Sequence, residues 1–248
     1  MPQPRFSLRG FSRKALAITL ALPLVAVVLA VAPASAAMAC SLNSHCYAIG
    51  EDDMGHNNGA LGTIYFTCLH SADSSDFVTN EIWDNTGSGG PLNVYWVEVG
   101  VVDGVDPQTS VDHTRSWFWA DFRPGDTTIN THFPSGFGEA AFSTSYPASI
   151  VFDGGSSKAW AVFGGDSDVL IGTSTSQPNN TTDAYAGTEY SDGQGLRASG
   201  NVSALTWYDS NFGTHRFGAN GYTRELGPNA SIDPGYASSS STVSWADC

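Results

Sequence analysis

Four acidic residues stand inside strand-like runs of this 248-residue chain: Glu81, Glu98, Asp121 and Glu189. Glutamate is depleted in strands and costly to bury, so an acid there needs a reason. Two carboxylates held together cannot both ionise easily. One keeps a proton, and the pair can act as acid and base on a bound water. Glu98 is the sharpest case. Alternation puts Val94, Trp96, Glu98 and Gly100 on one face of its run, and Tyr95, Val97 and Val99 on the other. One face is wholly apolar, and the other carries a carboxylate beside a tryptophan. Glu189 shares a face with Tyr185 and Gly187 in the same way. For Glu81 and Asp121, cross-strand pairing with Arg115 and Arg123 is the expected role. For Glu98 and Glu189, strand position alone leaves ion pairing and catalysis both open.

Other chemistries lack their residue patterns. There is no phosphate loop, dinucleotide fingerprint, metal-binding helix motif or nucleophile elbow. His45, His56, His70, His113, His132 and His215 are scattered without ligand spacing, and the glycine-rich stretches read as β-turns. No cofactor and no metal is therefore expected. The acidic turns Glu51-Asp52-Asp53 and Asp166-Ser167-Asp168 have calcium-type ligands but read as exposed turns.

The elements that must position these acids are short strands, separated by Gly, Asn, Asp, Ser and Pro clusters. Helical periodicity is absent from every long stretch. The runs Phe77–Trp83, Val94–Val101, Thr114–Phe122, Thr127–Phe133, Ser149–Phe152, Ala159–Phe163, Val169–Thr173, Ala184–Tyr190, Asn201–Tyr208 and Thr242–Trp245 follow a first hairpin. About a dozen strands in one domain imply an all-β, two-sheet antiparallel β-sandwich of jelly-roll, concanavalin-like type. In the run from Arg115 to Arg123, Arg115, Trp117, Trp119, Asp121 and Arg123 share a face. If they adjoin Glu98, one sheet offers a concave surface of tryptophans, acids and arginines over an apolar core. Trp96, Trp119 and Arg123 are then the expected cleft-lining residues. Ser174 to Asp183 reads as an exposed loop.

Arg5, Arg9, Arg13 and Lys14 precede an apolar run from Ala15 to Ala32 and a small-residue site, Ala34-Ser35-Ala36. This is the pattern of a secretory signal peptide over residues 1–36, with a single domain from Ala37 to Cys248. The expected product is secreted and extracellular, with no membrane attachment after cleavage, and acts as a monomer. It retains six basic against 24 acidic residues, a net charge of −18, which disfavours nucleic acid. Cys40, Cys46, Cys68 and Cys248 make an even count in an exported chain, which implies two disulfides. A hairpin of His45–Gly50 with Ala60–Cys68 would set Cys46 opposite Cys68, leaving Cys40 to pair with Cys248.

Three segments in order resemble the neprosin family of glutamic peptidases. Ile82-Trp83, Gly89-Gly90-Pro91 and Val97-Glu98-Val99-Gly100 resemble its Ile-Trp strand, Gly/Pro turn and first glutamate strand. Arg115-Ser116-Trp117-Phe118-Trp119-Ala120-Asp121 resembles its aromatic strand. Lys158-Ala159-Trp160-Ala161-Val162, Val169-Leu170-Ile171-Gly172 and Ala186-Gly187-Thr188-Glu189-Tyr190 resemble its Trp, Gly and second glutamate strands. The resemblance implies a jelly-roll sandwich with catalytic glutamates at Glu98 and Glu189, and an acid-active endopeptidase with a preference near proline. Tryptophans beside the glutamates equally suit sugar stacking. A polysaccharide-binding or polysaccharide-cleaving sandwich, and a non-catalytic secreted binding module, stay open beside the peptide substrate.

Overall fold

The computed structural model describes residues 45–53, 56–71, 76–88, 94–106, 108–154, 158–179, 183–191, 197–218, 223–226 and 242–247. All of them belong to one compact unit, residues 36–248. The expected leader lies outside the described residues, as do Cys40 and Cys248.

The described residues contain strands and no helix. In chain order these are β1 (His45–Asp53), β2 (Asn57–His70), β3 (Phe77–Ser88), β4 (Val94–Val105), β5 (Asp112–Phe122), β6 (Asn130–His132) and β7 (Ser145–Phe152). They continue as β8 (Trp160–Gly164), β9 (Val169–Ser174), β10 (Asp183–Ser191), β11 (Arg197–Asp209), β12 (Thr214–Arg216), β13 (Thr223–Leu226) and β14 (Thr242–Asp247). Two antiparallel sheets pack face to face as a β-sandwich, as the strand pattern implies. One runs β13-β1-β10-β3-β4-β5-β6, and the other β12-β11-β2-β7-β8-β9 with β14 beside β11.

The first hairpin is not formed. β1 pairs with β10 and β13, while β2 pairs with β11 and β7, so the two strands lie in different sheets. The backbone partner of Cys46 is Tyr190, and that of Cys68 is Ser199. Cys68 is disulfide-bonded. A hairpin therefore does not set Cys46 opposite Cys68, because β1 and β2 lie in different sheets.

The sandwich interior is built from one face of each sheet. Val97, Val99 and Val101 of β4, Ile82 of β3 and Ala184 and Ala186 of β10 meet Ile64, Ile150, Trp160 and Val162 of the second sheet. This is the apolar face that alternation assigns to β4. The β5 tryptophans join it. Trp119 pairs with Val99 and Trp117 with Val101, so both indoles point into the core and away from Glu98. Glycines on the facing sheet make the room. A Cβ on Gly164 would come within 2.7 Å of the Trp117 ring, and one on Gly172 would collide with the Trp119 indole.

The described part of the stretch from Ser174 to Asp183, residues 174–179, is anchored by buried Ser174 and Gln177. Gln177 is fully buried, and its amide donates to the carbonyls of Trp96 (3.1 Å) and Phe122 (3.2 Å) while accepting from Thr86 (2.8 Å). A breaker-rich sequence here is compatible with burial because one side chain satisfies three groups at the strand ends.

The packing of Trp119 against a bare backbone gives a direct test. Gly172→Ala is expected to destabilise the fold by about 1–3 kcal/mol through overpacking. Leu170→Ser, at a position 58% exposed, is expected to stay within about 0.5 kcal/mol. Urea unfolding of the two variants measures the difference.

Candidate active site

The outer face of the first sheet carries the acids. Register sets the rows. Tyr185, Trp83, Glu98 and Ala120 lie side by side across β10, β3, β4 and β5. The next row is Gly187, Glu81, Gly100 and Phe118. Glu189 follows, two residues along β10 from Gly187, and its strand is clamped to β3 by Thr79. The Glu189 N–H donates to the Thr79 hydroxyl (3.0 Å), which donates to the Glu189 carbonyl (3.2 Å).

Three carboxylates therefore converge from three adjacent strands. One oxygen from each of Glu81, Glu98 and Glu189 lies within 4.8 Å of the others. Glu81 and Glu189 are buried and Glu98 is half-buried. Glu98 and Glu189, far apart in sequence, are thus brought together. Glu81 joins them, which sequence reasoning missed. It was expected to meet an arginine, but Arg115 instead pairs with Glu139 and donates to the Ala140 carbonyl (3.0 Å). What marks Glu81 out is register: its partners on β4 and β10 are Gly100 and Gly187.

Burial is the main force on this group. It pushes Glu98 up to about 8, with the Glu189 charge adding to the push, the Trp96 indole N–H opposing it, and Asp121 adding a smaller push. Glu81 is also driven well above the usual carboxylate range, first by burial and then by Glu98 and Glu189. At acid and neutral pH the cluster holds protons. A hard cation is the other way to balance such an oxygen-only set.

Aromatic rings border the acids. Trp83 and Tyr185 stack at 5.1 Å, and Trp96 stacks on Phe122 at 5.1 Å. The Asn85 amide donates to the Tyr185 hydroxyl (3.1 Å), which donates to Glu51 (3.2 Å). Burial and the Glu51 charge push the Tyr185 phenol far up, so it stays a neutral donor. On the other side lies a small apolar cluster of Phe77, Val102, Phe118 and Ala120, against which Ile129 and Phe133 pack. The segment that follows β5 thereby walls one flank of the face.

The remaining expected residues separate. Trp96 stays beside Glu98. Trp119 does not: it is a core residue, stacked on His132 at 3.8 Å. Arg123 is engaged by Asp126 (3.2 Å) and Asp121 (3.6 Å) and does not face the glutamates. Asp121 is fully buried on the core side, accepting from Ser174 (2.5 Å) and Asn130 (3.2 Å), and its pairing with arginine is as expected. The outer face beside Glu98 is therefore acid and aromatic, without the β5 tryptophans and Arg123 assigned to it. Of the acidic turns, Asp166 and Asp168 are exposed, whereas Asp52 is buried and accepts the Gly218 N–H (2.6 Å).

No family model matches the chain, and no curated protein matches it by sequence. Solved structures do match by fold. One is scytalidoglutamic peptidase with a peptide-based transition-state analogue, at TM-score 0.53 and 10% identity, over 83% of this chain and 100% of that one. Another is SCP-B, a member of the eqolisin family of peptidases, in complex with the tripeptide Ala-Ile-His, at TM-score 0.50 and 10% identity with the same coverage. The fold is thus that of eqolisin-type glutamic peptidases, and neither neighbour is a neprosin.

The raised carboxyls have a stability consequence with a definite sign. Folded Glu98 holds its proton up to about 8, while an unfolded glutamate releases it near 4.3. Stability from this group is thus fully present below about 4.3 and is lost as pH rises toward 8, by at most about 1.4 kcal/mol per pH unit. His113 and His132, held low chiefly by burial, act in the opposite direction near their usual range. The clean measurement is a difference. Between pH 5 and 8 the Tm of Glu98→Gln is expected to fall less than that of the wild type.

Proposed function

We propose that the chain is a secreted, acid-active glutamic endopeptidase in which Glu98 and Glu189 act together on one water molecule. The observation that carries this reading is the convergence of their carboxyl oxygens within 4.8 Å on an outer, aromatic-bordered sheet face. Their proximity argues against the binding-module reading, which requires these acids to lie apart or to be neutralised by arginine. The fold shared with glutamic peptidases supports the same reaction class.

Glu98, pushed up to about 8, suits the acid. Its O–H polarises the scissile carbonyl. Glu189 then takes the base role and removes a proton from water as the new C–O bond forms. The tetrahedral intermediate collapses with cleavage of the C–N bond, and Glu98 gives its proton to the leaving nitrogen. Transfer of the proton from Glu189 to Glu98 restores the resting state. The Trp96 ring, with Trp83 and Tyr185, forms a wall along which an extended peptide can lie. Cleavage near proline is the preference added by the neprosin resemblance. Activity is expected at acid pH and is lost as Glu98 deprotonates near 8.

Polysaccharide hydrolysis is the rival outcome. The carboxyls are close, as retaining glycosidases require at about 5–5.5 Å, and stacked rings suit sugars as well as peptides. Casein-type and polysaccharide substrates assayed side by side from pH 3 to 9 separate the two. Peptide cleavage is expected, with Glu98→Ala and Glu189→Gln each lowering kcat at least about 100-fold in folded protein. Full activity in either variant contradicts the dyad, and sugar release without peptide cleavage favours the rival.

A further inference from the structure

We propose that Glu81 is a positioning residue of this site: it keeps a proton and donates it in a hydrogen bond to the Glu189 carboxylate, holding that group toward the cleft as the base. The proposal rests on the Glu98/Glu189 reading.

The placement of Glu81 is unusual. β3 lies between β4 and β10, the strands that carry the other two glutamates. The cross-strand neighbours of Glu81 are Gly100 and Gly187, so no side chain comes between it and its acidic partners. Gly100 is required for this. A Cβ there would stand 2.6 Å from the Glu81 Cβ. Glu81 has no exposed surface, and neither oxygen meets a backbone N–H or a cationic donor among the described residues. One of its oxygens lies within 4.8 Å of a carboxyl oxygen of Glu189 and of Glu98, and among the described residues neither oxygen has a hydrogen-bond partner already in place.

The charged groups facing it are therefore Glu98 from β4 and Glu189 from β10. β5 presents Phe118 in the same row, and Asp121 acts on Glu98 from the far side of the sheet. Two carboxyls share a hydrogen bond only when one is protonated. The enclosed one loses most by ionising, so Glu81 is the donor and Glu189 the acceptor. The burial-driven rise of Glu81 agrees with this division. Glu98, which is half-buried, keeps its own proton for the substrate.

The experiment compares wild type, Glu81→Gln and Glu81→Leu by kcat and KM on a peptide substrate across pH, with Tm recorded at each pH. Glutamine keeps a neutral donor, and leucine keeps the volume without one. Glu81→Leu is expected to lower kcat about 10- to 100-fold with KM changed less than about threefold, and Glu81→Gln to recover most of that loss. Equal losses in both variants, or no loss in either, overturn the proposal. The wild-type Tm is expected to fall as pH rises above the ordinary glutamate range near 4.3, and both variants are expected to fall less. Should no peptide be cleaved by the wild type, the dyad reading fails while this Tm comparison still decides the proton on Glu81. Parallel Tm curves overturn it. A rise in wild-type Tm with Ca²⁺ or Mn²⁺ at neutral pH that Glu81→Leu abolishes also overturns it, by placing a cation where the proton should be.

Discussion

Three carboxylates within 4.8 Å, all at least half withdrawn from water, cannot all be charged. The crowding arises from the antiparallel register of β10, β3 and β4, which fixes the rows on which Glu189, Glu81 and Glu98 stand. A sheet holds side chains more rigidly than a loop, so the cluster cannot relax by moving apart. What relaxes is protonation. Burial and mutual repulsion both favour the neutral form, and the chemistry follows from which carboxyls keep their protons.

The rest of the sandwich serves this arrangement from behind. The apolar face of β4 is sealed by valines, and the indoles of Trp117 and Trp119 fill the interior where the second sheet has glycine. Acids also lie on the reverse face. Asp52, Asp84 and Asp121 are fully buried in a row that crosses β1, β3 and β5. Asp84 is driven well up by burial, and Asp121 adds its charge to the push on Glu98. The site is thus backed by a low-dielectric layer, which strengthens every charge effect within it.

Much of this was legible from residue types. Alternation in β4 gave the correct face to both Glu98 and the valines, and the order of strand-like runs gave the sandwich. The β5 face was misassigned because its charged ends, Arg115, Asp121 and Arg123, outweighed two tryptophans that belong to the core. Only the pairing of Trp119 with Val99 reveals the true side, and pairing partners are non-local. The β1–β2 hairpin failed for a similar reason, since a short turn can join strands within a sheet or carry the chain between sheets. Glu81 was misjudged by counting arginines. Its distinguishing feature, glycine on both neighbouring strands, exists only once the strands are in register.

Glu81 and Glu98 keep their protons above the ordinary glutamate range. Carbon-13 NMR of the carboxyl carbons in glutamate-labelled protein, assigned with Glu81→Gln, Glu98→Gln and Glu189→Gln, tests this directly. The Glu98 carbon is expected to titrate near 8, and the Glu81 carboxyl to be still protonated when an exposed glutamate has ionised near 4.3. Titration of the Glu81 and Glu98 carbons near 4.3 would contradict it.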